Sequence, residues 1–214
     1  MPAASPTGLQ FDPRQAVRSL RRSDPVLAGL VDRIGPFTHD PPRMQSPFEA
    51  LARAIVYQQL SGKAAATIYG RLMLLTPGRN GFRPTNLLAL SDAQMRGVGL
   101  STNKCLALRD LAAKTLDGTV PTLARLRRLG DEEIIERLTA VRGIGRWTVE
   151  MLLMSRLGRP DVLPVDDLGV RKGFMQTYGL AGMPTKIELV EHAERWRPFR
   201  SVASWYMWRA LDSL

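Results

Sequence analysis

Two arginines and two glycines in one short turn give the clearest chemical signal in this chain. Arg142 and Arg146 flank the Gly-Ile-Gly turn at 143–145, and apolar periodicity predicts helices over 131–140 and 146–157. Glycines allow a tight turn and let another molecule approach the backbone closely. A helix that begins after the turn would aim its N–H groups and the positive end of its dipole at an anion. With the arginines beside it, this turn predicts a site for a nucleic-acid phosphate.

The composition favours a polyanionic partner and excludes several kinds of site. The 214-residue chain carries a formal net charge of +10, although charge alone does not separate DNA from RNA or from a membrane surface. Cys105 is the single cysteine, which excludes a disulfide and a four-cysteine iron–sulfur cluster, and we expect it in the core. The two histidines lie too far apart in sequence to suggest a zinc site. Neither a signal peptide nor an apolar run of about 20 residues is present, so we expect a cytoplasmic protein.

Helical periodicity dominates the chain and strand patterns are nearly absent, so we expect an all-α fold. The proline-containing stretches at 38–45 and 159–164 separate three parts. These parts are an N-terminal arm at 1–45, a central helical subdomain at 46–160 that carries the hairpin at 131–157, and a C-terminal helical subdomain at 161–214.

The pattern Leu-x-x-Val-x-Gly-Ile-Gly-Arg-Trp-Thr at 138–148 resembles the helix-hairpin-helix (HhH-GPD) of base-excision DNA glycosylases. It is most similar to the alkylation-repair branch, the 3-methyladenine DNA glycosylase II type, and the tryptophan-rich run at 196–209 resembles the same branch. The likeness covers about residues 48–209. It implies two helical subdomains around a DNA-binding cleft, with the N-terminal arm packed on the C-terminal subdomain. No strand pattern occupies the first 45 residues, so we expect no N-terminal β-domain.

The resemblance assigns the catalytic role to Asp167, in the segment Asp161–Gly169 that follows the hairpin. A carboxylate near C1′ would stabilise the positive charge that develops on the sugar as an N-glycosidic bond breaks. The adjacent Asp166 is the alternative catalytic residue. One of the two aspartates is expected to cap the helix that follows, because aspartate is favoured at the N-cap position. We expect Asp166 to be that cap.

The resemblance also implies a pocket for an extrahelical base, lined by Trp147, Trp208 and Tyr57. Indole faces attract a cationic ring such as that of an alkylated purine. Trp147 stands where glycosylases with lyase activity have lysine, so we expect base removal without strand cleavage. Met151 stands where some relatives have tyrosine, which affects the expected choice of base.

Three further roles follow from the resemblance. Gln59 and Leu60 match the wedge that fills the gap left by the flipped base, although some relatives have leucine at the first position. The hairpin carbonyls of Val141 and Ile144 would bind a structural Na⁺ or K⁺. The expected phosphate contacts are Gly143, Gly145, Arg146, Trp147 and Thr148.

Together these residues predict a monofunctional DNA glycosylase that removes alkylated purines, 3-methyladenine and 7-methylguanine, from double-stranded DNA. We expect a monomer that needs no catalytic cofactor. Two alternatives remain open: a glycosylase for other damaged or mismatched bases, and a non-catalytic helix-hairpin-helix DNA-binding module. A second Gly-x-Gly turn at 97–99, followed by Ser101 and Lys104, is a further candidate for contact with the DNA backbone.

Overall fold

The computed structural model describes residues 8–42, 44, 46–76 and 81–212, and these residues form helices and no strands. This confirms the all-α prediction. Residues 1–7, 43 and 45 of the predicted arm lie outside the described residues. In chain order the helices are α1 (Pro13–Ser23), α2 (Pro25–Ile34), α3 (Pro47–Tyr57), α4 (Gly62–Leu74), α5 (Pro84–Ala89), α6 (Asp92–Gly97), α7 (Thr102–Leu116), α8 (Leu123–Leu126), α9 (Asp131–Thr139), α10 (Arg146–Ser155), α11 (Leu168–Thr177), α12 (Lys186–Ala193), a 3-10 turn (Glu194–Trp196) and α13 (Arg200–Asp212).

Side-chain caps explain why many of these helices begin where they do. Asp24 accepts hydrogen bonds from the first backbone N–H groups of α2, and Ser46, Ser61 and Ser101 do the same for α3, α4 and α7. A proline follows Asp24 and Ser46, where its missing N–H costs no intrahelical hydrogen bond. The helix starts therefore follow from local sequence.

The chain divides into two compact units. Residues 1–43 and 150–214 form the terminal unit, and residues 44–149 form the central unit. The second division falls inside α10, whereas the sequence analysis placed it at residue 160. The physical reason is that the chain after α10 bonds to the arm: Gln10 donates from its backbone to the Gly158 carbonyl at 3.0 Å and from its side chain to the Leu157 carbonyl at 2.9 Å.

The terminal unit is built around the crossing of α11 and α13. Gly173 makes the close approach possible, because a Cβ there would lie 1.9 Å from the backbone oxygen of Met207. Its core also takes in α1, α2 and α12, and its largest fully buried side chains include Trp196 and Tyr206. A close α11–α13 contact brings residues near the start of α11 next to the last turns of α13.

The central unit buries apolar faces of α3, α4, α5, α7 and α9, which include Leu51, Leu72, Leu87, Leu108 and Leu138. Cys105 is buried on α7, which confirms its predicted place in the core. Within the described ranges, the helices are too short or too polar for any of them to cross a lipid bilayer.

Candidate active site and hairpin turn

The hairpin turn joins α9 to α10 in the central unit. Gly143 has φ of +77°, a left-handed conformation that glycine adopts without strain. Gly145 has an ordinary φ, and a Cβ there would meet no atom within 4 Å, so the space beside it is open. Val141 and Ile144 point into the core at 1% and 4% exposure, which leaves the backbone at both glycines exposed.

Helix α7 supports this turn through a pair of charges. The Asp110 carboxylate accepts from the Arg142 backbone N–H at 2.7 Å and from Lys114 Nζ at 2.8 Å. Lys114 also donates to the Ala140 carbonyl. Burial raises the pKa of Asp110, but the Arg142 N–H and Lys114 outweigh it and the pKa is lowered. The sequence analysis missed both residues, although their i,i+4 spacing on α7 was a visible signal.

The segment after α3 is also tied to the hairpin. Gln58 Nε2 donates to the Gly143 carbonyl at 2.9 Å, and Lys104 Nζ donates to the carbonyls of Val56 at 2.5 Å and Gln58 at 2.9 Å. Burial lowers the pKa of the Lys104 ammonium. Lys104 therefore caps the end of α3, and the turn at 97–99 that precedes it stays a candidate for a DNA backbone contact.

The two wedge candidates, Gln59 and Leu60, come directly after Gln58 in the chain. Gln59 has φ of +57° and is the only non-glycine residue with positive φ among the described residues. A left-handed residue of this kind costs about 1–2 kcal/mol and persists only where its surroundings hold it. Gln59 is exposed and Leu60 is 39% exposed. The backbone just before them is held by the contacts of Lys104 and Gln58.

Arg146, Trp147 and Thr148 open α10. Arg146 makes a two-pronged ion pair with Glu132, with distances of 2.9 and 2.6 Å. Trp147 is 45% exposed, a large exposure for an indole, and the Thr148 N–H closes the first helical turn by donating to the Gly145 carbonyl at 3.0 Å. The predicted phosphate contact of Thr148 would thus use its hydroxyl rather than its N–H.

Tyr57, the other predicted aromatic of the central unit, lies at the last turn of α3. The Arg53 guanidinium sits over its ring at 4.0 Å, and Tyr69 meets it edge-on with centroids 6.3 Å apart. A cation already occupies one face of this ring. That geometry favours a supporting role for Tyr57 over stacking on a cationic base.

Asp167 is the N-cap of α11, in the terminal unit. Its Oδ1 accepts from the Val170 N–H at 2.8 Å, while Asp166 is exposed and pairs with Lys186. The prediction that Asp166 is the cap is therefore wrong. The helix begins at Leu168, one residue later than a cap at Asp166 implies, so the residue directly before it is Asp167.

Trp208 on α13 meets the same carboxylate. Its indole Nε1 donates to Asp167 Oδ1 at 2.8 Å, so two donors from two helices converge on one oxygen. Gly169 lies against this pair: a Cβ there would come within 2.8 Å of Trp208 Cδ1 and 3.0 Å of Asp167 Oδ1. The structure thus brings together two predicted site residues, Asp167 and Trp208. It adds Gly169, which the sequence analysis did not predict.

Trp208 also lines a pocket of about 140 Å³. Most of its wall is aromatic or methionine: Phe11, Phe37, Met151, Met154, Trp205 and Trp208. Phe11 and Phe37 come from the N-terminal arm, to which the sequence analysis assigned no role. A mostly apolar wall with a few polar groups is the usual character of a small-molecule site.

His39 adds a polar group to this wall. Burial lowers the pKa of its imidazole, and a hydrogen bond with the Met154 backbone opposes that shift only in part. Its buried Nε2 has no hydrogen-bond partner among the described residues, and it joins Ser155, Arg159 and Ser201 as a polar group of the pocket lining.

Carbonyl oxygens are the groups available to a metal ion at the hairpin. The described residues contain no cluster of three or more His, Cys, Asp or Glu side chains that could hold one. The Val141 carbonyl accepts from the Ile144 N–H at 3.0 Å and retains a second lone pair. Neutral carbonyl ligands suit a monovalent hard cation.

Known proteins are similar to this chain in sequence and in fold. The model of the HhH-GPD superfamily of base excision DNA repair proteins matches residues 52–198. DNA-3-methyladenine glycosylase 1 of Schizosaccharomyces pombe is 41% identical over 165 residues, which cover 77% of this chain and 72% of the relative.

Two solved structures are similar over most of the chain. The 3-methyladenine DNA glycosylase Mag1 of S. pombe, in complex with abasic DNA, has a TM-score of 0.79 and 38% identity, covering 91% of this chain and 95% of that one. A DNA-3-methyladenine glycosidase of Bacillus halodurans has a TM-score of 0.83 and 35% identity, covering 91% and 88%.

Proposed function

This chain belongs to the HhH-GPD superfamily of base excision DNA repair proteins, and on that premise we propose that it is a monofunctional DNA glycosylase for alkylated purines. The membership bears out the resemblance seen in the hairpin. The observation that carries the proposal is the Asp167–Trp208 pair, because it joins a carboxylate at a helix start to the wall of an apolar, aromatic pocket.

The reaction breaks the bond between C1′ of the deoxyribose and a purine nitrogen. The electron pair of that bond leaves with the base, and a purine that is already cationic leaves as a neutral molecule. Positive charge develops on the sugar, and the Asp167 carboxylate stabilises it. Water adds to C1′ and gives up a proton, which completes hydrolysis. A separate acid for the leaving group is not required.

The base must leave the helical stack before this chemistry can occur. We propose that the extrahelical purine enters the pocket beside Trp208, where indole faces attract its positive charge by about 0.5–2 kcal/mol per contact. Gln59 and Leu60 would fill the gap in the duplex. Trp147, rather than lysine, stands at the hairpin, so no Schiff base forms with the sugar and the strand stays intact.

The hairpin would hold the DNA backbone. The exposed backbone at Gly143 and Gly145, with Arg146, Trp147 and Thr148 beside it, is suited to a phosphate at the start of α10. Na⁺ or K⁺ bound to the carbonyls of Val141 and Ile144 would stabilise that turn for DNA contact, without taking part in catalysis. One chain carries all of these parts, and we propose that it acts on cytoplasmic DNA as a monomer.

The decisive test uses methylated duplex DNA and chromatography of the free bases released, with wild type and Asp167→Asn compared. We expect 3-methyladenine and 7-methylguanine from the wild type and at least about 100-fold less from the variant. Absence of release by the wild type, with DNA binding intact, would contradict the assignment. Equal release by both proteins would place the catalytic carboxylate elsewhere.

A second assay checks the absence of lyase activity. Duplex DNA with a single abasic site is incubated with the protein and the strands are separated under denaturing conditions. We expect the strand to remain intact for as long as base release is measurable. Nicking by the wild type that Asp167→Asn abolishes would show a lyase step.

A further inference from the structure

Trp208 is joined to the catalytic carboxylate by an arrangement that a simple pocket wall does not need. Its indole Nε1 lies 2.8 Å from Asp167 Oδ1, and its ring lines the apolar pocket. A base-stacking role requires only the face of the ring. The N–H edge is directed at Asp167 instead.

Gly169 is the residue that makes this contact possible. Any side chain there would overlap both partners, since its Cβ would stand 2.8 Å from Trp208 Cδ1, 3.2 Å from Nε1 and 3.0 Å from Asp167 Oδ1. Gly173, one helical turn later, admits the α13 backbone at the Met207 carbonyl. These two glycines determine how closely α13 packs against α11, and therefore whether the indole of Trp208 contacts Asp167.

We propose that Trp208 acts on the reaction through Asp167, as a positioning residue whose indole N–H fixes the carboxylate, and that Gly169 is the specific gap that permits it. The inference rests on the proposed glycosylase function. With the Val170 N–H on the same oxygen, two donors from two helices define the plane of the carboxylate. A carboxylate held in this way does not have to reorient as charge develops on the sugar.

The kinetic test is a double-mutant cycle in single-turnover base release, with protein in excess over methylated DNA. Trp208→Phe keeps an aromatic ring but removes the N–H donor, and we expect the rate to fall about 10- to 100-fold, the range for a hydrogen bond to a charged group. In the Asp167→Asn background the same change should cost less than about 3-fold, because its target is already altered.

Trp205→Phe provides the matched comparison. Trp205 lies on the same helix and lines the same pocket, with its ring edge-on to Phe37 at 4.9 Å. Whatever factor this change costs, we expect the same factor in both backgrounds. If Trp208→Phe also costs the same factor with Asp and with Asn at position 167, Trp208 acts only as a wall and the inference is overturned.

Gly169→Ala gives an independent check on the gap. We expect it to slow base release at least as much as Trp208→Phe, with a melting temperature close to that of the wild type. Gly29→Ala is the control glycine, since a Cβ there meets nothing within 4 Å. Wild-type rates in Gly169→Ala would show that the gap is not needed.

A spectroscopic arm separates this inference from the proposed function, because it requires no activity. The indole ¹H–¹⁵N resonance of Trp208 should move upfield and exchange faster with solvent in Asp167→Ala, while that of Trp196 stays in place. An unchanged Trp208 resonance overturns the inference even if base release is normal. A moved resonance in a protein that releases no base would support the contact and contradict the glycosylase assignment.

Discussion

Two aspartates of the terminal unit occupy nearly the same local structure. Asp24 and Asp167 are each an extended residue directly before a helix, and each accepts a backbone N–H of the first turn. Each also accepts an indole N–H from a distant tryptophan: Trp196 Nε1 lies 2.9 Å from Asp24 Oδ2, and Trp208 Nε1 lies 2.8 Å from Asp167 Oδ1. A capped helix joined to a tryptophan therefore occurs twice.

The two sites differ in burial and in what surrounds the carboxylate. Asp24 is 1% exposed, and its Oδ2 accepts from the Tyr178 hydroxyl at 2.6 Å as well as from Trp196, with His192 at 3.1 Å. Burial raises the pKa of Asp24, but these donors outweigh it and the pKa is lowered. Asp167 is partly exposed, and its tryptophan borders a pocket. The same motif thus lies in the core in one place and, in the function that we propose, carries the chemistry in the other, where the carboxylate is accessible.

The largest expected effect is the loss of activity in Asp167→Asn. Asparagine caps a helix about as well as aspartate, so the melting temperature should change little, while base release falls about 100- to 1000-fold because the negative charge is gone. Circular dichroism and single-turnover base release on the same preparation check this. A large drop in melting temperature would instead make Asp167 a structural residue like Asp24.

The converse change is Asp24→Asn. An amide NH₂ would face buried donors, the Tyr178 hydroxyl and the Trp196 indole, so we expect the free energy of unfolding to fall by about 2–4 kcal/mol. Base release per folded molecule, measured well below the melting temperature, should stay within about threefold of the wild type. Urea unfolding gives the stability. A specific loss of activity without loss of stability would break the comparison.

The two aspartate sites, Asp24 and Asp167, could not be predicted from the sequence to the same extent. Helix starts such as Asp24-Pro25 and Ser46-Pro47 are local signals, and the helices predicted over 131–140 and 146–157 are found as α9 (Asp131–Thr139) and α10 (Arg146–Ser155). The resemblance alone singled out Asp167, and its role as the helix cap was missed because the predicted helix began one residue too early. A boundary error of that size is normal and here it changed the assignment of the cap.

Contacts between distant segments were beyond sequence reasoning. Trp208 lies 41 residues after Asp167, and Lys104 lies 48 residues after the Val56 carbonyl that it binds. No local pattern encodes such a pairing, because it depends on how helices pack. The hairpin could be predicted from the sequence because its glycines, arginines and helix starts are adjacent in the chain.

The two tryptophans offer a smaller effect. Trp196 is fully buried and Trp208 borders a pocket, so Trp196→Phe should lower the free energy of unfolding by about 2–3 kcal/mol and Trp208→Phe by less than about 1 kcal/mol. The first change removes one of the buried donors to Asp24 and leaves a cavity. Chemical denaturation of both variants against wild type checks the difference. Equal losses would mean that Trp208 is as structural as Trp196.

The smallest expected effect is on the pH dependence of stability. Burial lowers the pKa of His192, helped by the Arg195 charge and opposed by Asp24, and burial also lowers that of His39. As pH falls below about 6.5, the ordinary histidine value, the unfolded chain takes up these protons first and stability declines. Asp24, whose folded pKa is lowered, stabilises the fold above pH about 4, and that contribution is lost as pH falls through its folded pKa.

Melting temperature should therefore be flat above pH about 7, decline gently toward pH 5, and fall more steeply near pH 4 and below. His192→Gln should reduce the first decline without abolishing it, because His39 remains. Asp24→Asn should reduce the steeper fall, while Asp110, Asp117 and Glu188, whose pKa values are also lowered, preserve part of it. Asp167→Asn should leave the first decline unchanged. If Asp24→Asn and wild type showed identical acid profiles, the Asp24 carboxylate would not be a group that folding holds ionised.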